Sequence, residues 1–129
     1  MNKIYYAHHQ WKYGTKEETE ELKVIKRNFE GLIINPNGWI YENGDETYCM
    51  GQCFHFIKNI CDILVFTTLV DGTIGKGVHD EIKCALDNFK KVFYLNQDGI
   101  IVDFNMKDYE DIEVIVKETG TNRRYAKIN

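Results

Sequence analysis

The feature that most constrains this chain is an alternation of short apolar runs with longer segments of helical period. Lys3 to Ala7 (Lys-Ile-Tyr-Tyr-Ala) is a β-prone run ended by His8-His9. Thr15-Lys16-Glu17-Glu18 has the form of a capping box opening a helix to about Phe29, with Leu22, Ile25 and Phe29 on one face. Gly31 is the expected helix stop. Leu32-Ile33-Ile34 then reads as a second strand, fully apolar as buried parallel strands are, and Asn35-Pro36-Asn37-Gly38 ends it. After a loop over 39–44, Met50, Cys53, Phe54, Ile57 and Ile60 set a helix over roughly Glu46 to Ile60. Ile63-Leu64-Val65-Phe66 is the strongest strand of the chain. A polar, glycine-bearing loop from Thr67 to Gly77 follows. A third helix starts near Gly77, with Val78, Ile82, Ala85, Leu86 and Phe89 as its buried stripe. Val92 to Leu95 is a fourth strand and Ile100-Ile101-Val102 an added one. A last helix is expected over about Lys107 to Glu118, before a polar tail from Gly120.

Strands separated by helices require right-handed crossovers, and hence a mostly parallel sheet covered on both faces. The expected fold class is a Rossmann/flavodoxin-like three-layer α/β sandwich with four or five strands. With 129 residues, the whole chain 1–129 is read as one domain. Ligands in such sheets lie outside the carboxyl ends of the strands. The loops that matter are therefore His8 to Gly14, Asn35 to Gly44 and Thr67 to Gly77.

Composition narrows the partners. A net charge of −4 argues against a nucleic-acid polymer or an anionic membrane, since both need a basic face. Lys90-Lys91 reads as a favourably charged helix C-terminus. No apolar run approaches the roughly 20 residues of a membrane span, and no signal-peptide core follows Met1, so a cytoplasmic location is expected. Cys49, Cys53, Cys61 and Cys84 form no C-x-x-C pair; they read as buried thiols, and neither metal nor organic cofactor is expected.

Glu81 is the most informative residue. It shares the sheet-facing side of its helix with Val78 and Ile82, so its carboxylate is expected to be desolvated. It also lies near the helix N-terminus, which favours its ionised form. A poised nucleophile or base results, or else a buried carboxylate accepting backbone bonds. In Asp71-Gly72-Thr73-Ile74-Gly75-Lys76-Gly77, the glycines Gly72, Gly75 and Gly77 permit close backbone approach to a ligand, and Lys76 offers a charge to a phosphate. Neither a Walker motif nor G-x-G-x-x-G is present. Asp71 is a second acid near Glu81, of the kind retaining glycosidases place about 5 to 5.5 Å from the first, or simply an Asp-Gly turn. Tyr5, Tyr6 and His8 end the first strand, with Tyr5 and Ala7 on one face and Tyr6 and His8 on the other; they orient a carboxylate and stack on a base, or they are core tyrosines and a solvated histidine. Asn35 ends the second strand at the same edge. Trp11, Tyr13, Trp39 and Tyr41 either stack a planar ring or bury a dimer contact. Asp62 is read as a connector, and His55 and His79 as surface residues.

With these residues placed, the chain resembles the nucleoside 2-deoxyribosyltransferase-like superfamily. The likeness rests on Lys3-Ile4-Tyr5-Tyr6-Ala7 and on Asp71-Gly72-Thr73 through Glu81-Ile82 and Ala85. The Gly75-Lys76-Gly77 segment resembles the deoxynucleoside 5′-monophosphate N-glycosidase branch. The resemblance implies that Glu81 attacks C1′ of a nucleoside or nucleotide, Tyr5 holds it, Asp71 assists at the base and the glycines hold a 5′-phosphate. It also implies a homodimer or higher homo-oligomer. Ile82-Lys83 stands where Ile-Gly is usual, and the loop before Glu81 is longer than the family's. The expected function is N-glycosidic cleavage or deoxyribosyl transfer. The alternatives are a non-catalytic nucleotide or ADP-ribose-derivative binding protein, and a related NAD-cleaving fold.

Overall fold

The computed structural model describes residues 2–37, 46–116 and 124–128. In chain order the elements are β1 (Asn2–Ala7), α1 (Lys16–Asn28), β2 (Gly31–Ile34), α2 (Glu46–Asn59), β3 (Ile63–Phe66), β4 (Thr73–Gly75), α3 (Lys76–Asp87), β5 (Lys91–Leu95), β6 (Ile101–Asp103), α4 (Met106–Glu110), β7 (Glu113–Val116) and β8 (Arg124–Lys127). A five-stranded sheet has the order β2-β1-β3-β5-β6. Its first four strands are mutually parallel, and β6 joins antiparallel.

Alternation along β1 and β3 separates two cores. Tyr5, Ala7, Leu64 and Phe66 face Cys53 and Ile57 of α2 and Val78, Ile82 and Ala85 of α3. Ile4, Tyr6, Ile63 and Val65 face Ile25 of α1. Helices thus cover both faces of a mostly parallel sheet, as the alternating pattern requires. Each fully buried Ile, Leu or Phe adds about 1.5–3 kcal/mol to this packing.

Several local expectations are corrected. The first concerns β2, which is an edge strand: Leu32 is 56% exposed, because only one side of β2 is paired. The second concerns Gly31, which is no helix stop. Phe29, in extended backbone, caps α1 by donating its N–H to the Ile25 carbonyl at 3.0 Å. Gly31 instead opens β2 with φ 149°, where an added Cβ would stand 2.0 Å from the Asn2 carbonyl oxygen. The third concerns the loop over 67–77, which contains strand β4, so α3 begins at Lys76. The fourth concerns the expected helix over 107–118, which stops at Glu110. Glu113 to Val116, with its β-branched run Val114-Ile115-Val116, forms β7 instead, and β4, β8 and β7 make a second, antiparallel sheet. The apparent capping box is also redistributed. The Thr15 hydroxyl accepts from the Glu18 N–H at 3.3 Å, while the Glu18 carboxylate reaches back to the Gly14 N–H at 3.2 Å.

His79 is half-buried rather than a surface residue, its ring 4.8 Å from that of Tyr109. Asp62 is the connector expected, accepting from the Lys3 N–H at 2.9 Å. Trp39 and Tyr41 lie outside the described residues, as does the stretch of the expected polar tail over 120–123. Among the described residues no helix is long and apolar enough to cross a membrane.

Candidate functional site

Two polar clusters flank β1. The first lies on the α2–α3 face. Val78, Glu81, Ile82 and Ala85 share the buried side of α3, which turns the Glu81 carboxyl toward Tyr5 of β1 and Cys53 of α2. Glu81 is 6% exposed. Burial pushes its carboxyl up to about 7; the nearby Tyr5 hydroxyl and Cys53 thiol pull the other way, and the Asp80 charge adds to the rise. Tyr5 is raised well above its ordinary value by burial and by the charge of Glu81. Such a carboxyl exchanges its proton near neutrality.

The second cluster lies on the α1 face, at the carboxyl ends of β1 and β3. His8 is buried, its ring stacked 3.7 Å from that of Tyr6. Its Nε2 lies 2.7 Å from the Glu18 carboxylate and its Nδ1 3.1 Å from the Tyr6 carbonyl oxygen. Both partners are acceptors, so only the imidazolium donates to both. Burial nevertheless holds the pKa of His8 below its ordinary value, against the pull of Glu18. Burial pushes Glu18 up in turn, but donors from His8, the Gly14 N–H and the Asn37 amide outweigh it and hold the carboxyl low. Lys12 is buried beside them. Its Nζ donates to Glu21 at 2.7 Å, to the Thr67 hydroxyl at 3.1 Å and to the Thr68 carbonyl. Glu21 also accepts from the Tyr6 hydroxyl, and from Thr67 at 3.0 Å.

Of the residues singled out in the sequence, the structure brings Glu81 and Tyr5 together and places the others elsewhere. Asp71 is exposed. It heads an Asx turn, accepting from the Thr73 N–H at 3.0 Å and the Thr73 hydroxyl at 2.6 Å. Gly72, with φ 80°, makes the turn, and its carbonyl accepts from the Ile128 N–H at 3.0 Å. Gly75 ends β4 and caps α3, a close 3.0 Å from the His9 ring for any added Cβ. Lys76 is exposed and pairs with Asp80 at 3.5 Å, and Gly77 lies within α3. The expected phosphate-binding loop is therefore a strand paired to β8 and the start of a helix. Asn35 accepts from the Asn37 N–H at 2.9 Å. Tyr6 and His8 belong to the α1-face cluster. His8 is neither a base-stacking nor a solvated residue, since its ring is already sandwiched against Tyr6 in the interior.

Lys12, Glu18, Glu21, Asn37, Cys53 and Thr67 were not singled out in the sequence. Glu18 and Glu21 carried a legible signal, because both lie on the helix face that holds Leu22 and Ile25. Lys12 carried none, since it sits in a short 3-10 turn without periodicity.

No protein-family profile and no solved structure matches the chain. Among curated proteins it is similar to a probable glycine cleavage system H protein 1, mitochondrial, of Dictyostelium discoideum. The two are 26% identical over 113 residues, spanning 83% of this chain and 73% of the relative. These findings overturn the expected kinship with nucleoside 2-deoxyribosyltransferases. With it fall N-glycosidic cleavage, deoxyribosyl transfer, and the nucleotide- or ADP-ribose-binding alternative. The local geometry agrees with the correction: Asp71 is occupied by Thr73, and the glycine segment holds backbone pairs where a phosphate cradle was expected.

Proposed function

We propose that this chain is an enzyme that moves a proton on a small molecule through the Glu81 carboxyl. The observation that carries the reading is a carboxyl 6% exposed, pushed up to about 7 by burial and set beside Tyr5 and Cys53. A group whose pKa lies near the operating pH is present as both acid and base, which is what general acid–base catalysis needs. Tyr5 positions it from the sheet and Cys53 from α2. The strand order β2-β1-β3-β5 supports a finer assignment to the Rossmann/flavodoxin-like class, in which the chain changes direction between β1 and β3. Glu81 would act beside that switch point. The free thiols of Cys61 and Cys84 fit a reducing compartment such as the cytoplasm.

The test is depletion of compounds from a small-metabolite mixture, followed by mass spectrometry, with wild type and Glu81→Gln. Wild type is expected to consume at least one compound that the variant spares. Identical depletion by the two proteins overturns the reading.

One observation favours a second reading. The 26% likeness to a glycine cleavage system H protein supports a role as a component of a system of that kind. A glycine cleavage assay lacking its own H protein decides this: restored glycine breakdown on adding the chain supports it, and an unchanged rate removes it.

A further inference from the structure

Phe89 is 97% exposed, more than any other large apolar residue among those described. It follows α3 with φ 59°, in the left-handed region. The helix end dictates that backbone. Phe89 donates its N–H to the Leu86 carbonyl at 3.1 Å, and Lys90 donates its own to the Ala85 carbonyl at 2.9 Å, the paired bonds of a Schellman turn. The turn fixes the conformation but not the residue. Glycine adopts it without strain, whereas a bulky side chain there is an outlier. Phe89 therefore carries a backbone cost and an exposed ring, and the fold offsets neither.

The ring stands at a basic edge. Strand registers put Lys3 beside Leu32, and Ile4, Ile63 and Lys91 in one row across the sheet. The Asp62 N–H donates to the Lys3 carbonyl at 2.9 Å, so the row before it, at the amino end of the strands, runs Leu32, Lys3, Asp62, Lys90. Phe89 adjoins that row. Lys3 and Lys90 both lie close enough to Cys61 for their charges to act on its thiol. The last turn of α2 adds Lys58 at the same end. The ion pairs of the described residues engage other lysines, Lys12, Lys23, Lys76 and Lys83, the last with Asp87. Lys3, Lys58, Lys90 and Lys91 thus outnumber Asp62 and Glu30, and this end is positive in a chain whose net charge is −4.

We propose that the amino end of the sheet docks an acidic segment of a partner protein. Its carboxylates meet Lys3, Lys90 and Lys91, and an apolar side chain packs on the Phe89 ring, the aromatic anchor with a charged rim that protein interfaces favour. A phosphate polymer suits the surface less well, because the chain as a whole repels it and Leu32, 56% exposed, gives a base nothing to stack on. This surface lies at the opposite end of the strands from His8 and Thr67, and does not rest on the proton-transfer reading.

The test is fluorescence anisotropy of short labelled peptides titrated with the full chain. The probes are runs of glutamate and aspartate with leucine, phenylalanine or tryptophan at the centre, the same runs with a central serine, and single-stranded oligo-uridine. Saturable binding of an acidic peptide with an apolar centre is expected, weakened about tenfold by the central serine and by Phe89→Gly. Lys90→Gln with Lys91→Gln is expected to weaken it too and to reduce its salt dependence. Phe89→Gly relieves the left-handed strain, so its Tm is expected to rise by about 3–5 °C, and lost binding cannot then be lost folding. No saturable binding of any acidic peptide, tighter binding of oligo-uridine, undiminished binding by Phe89→Gly, or a lowered Tm of that variant overturns the proposal.

Discussion

Tyr5 and Tyr6 are neighbours in one strand, and each is buried against a glutamate, yet the two glutamate environments differ. On the α2–α3 face, Glu81 has a hydroxyl and a thiol for partners, and burial wins: its carboxyl is pushed up to about 7. On the α1 face, Glu18 has an imidazole, a backbone N–H and an amide, and the donors win: its carboxyl is held low. Glu21, beside it, has a buried ammonium. Burial alone therefore does not set protonation; the number and charge of the donors brought to the carboxylate does. One face is a structural clasp tying β1, α1 and the Asn37 turn together, and the other keeps a proton in play.

The sharpest way to break this contrast is to remove the ammonium. Lys12→Met leaves Glu21 part-buried without its cation, and should destabilise the fold by about 3–5 kcal/mol in urea unfolding. A change below about 1 kcal/mol would show that the clasp is not a charge-paired unit.

The pH dependence of stability should have opposite signs on the two faces. Folded Glu81 keeps its proton to about 7, whereas the unfolded chain releases it near the ordinary 4.5. The unfolded state thus binds fewer protons in that window, and stability falls as pH rises through it, by about 3 kcal/mol in all. Glu81→Gln should flatten this slope in chemical unfolding measured at intervals between those pH values. Glu18 runs the other way: its contribution is present above the unfolded pKa and is lost as pH falls through the lower folded value. Glu18→Gln should flatten the acid limb and leave the neutral slope in place. Equal effects of the two variants in both windows would erase the distinction.

The smallest expected effect is that of Tyr6→Phe, which removes one donor to Glu21 while Lys12 and Thr67 remain. A loss of about 1–1.5 kcal/mol in thermal unfolding is expected.

The layered sheet was legible because its signal is periodic: Ile63 to Phe66 is fully apolar and central, and of the expected stripe Val78, Ile82 and Ala85 are buried and Leu86 packs beside them, whereas Phe89 lies beyond the end of α3 at φ 59° and is 97% exposed, a correction to its expected burial. Glu81 was legible for the same reason, standing on that stripe. What escaped was set by contacts distant in sequence. No local pattern marks Gly31 as the residue that must clear the Asn2 carbonyl, or Lys12 as the cation of a buried cluster. The helix expected over 107–118 failed because tertiary pairing with β8 overrode a short, weakly periodic segment. The family resemblance failed because Asp71-Gly72 and Gly75-Lys76-Gly77 are short motifs whose residues are used for turns and caps.

The pairing of β4 with β8 has a consequence in time. Thr73 to Gly75 emerge from the ribosome well before Arg124 to Lys127, the segment that satisfies their backbone. Until that later stretch is made, the entry to α3 has no ladder to hold it, while β1, β2 and β3 already have theirs. The order of synthesis therefore assembles the clasp on the α1 face first and fastens the approach to the proton-bearing helix last, through a long-range closure of the slow kind.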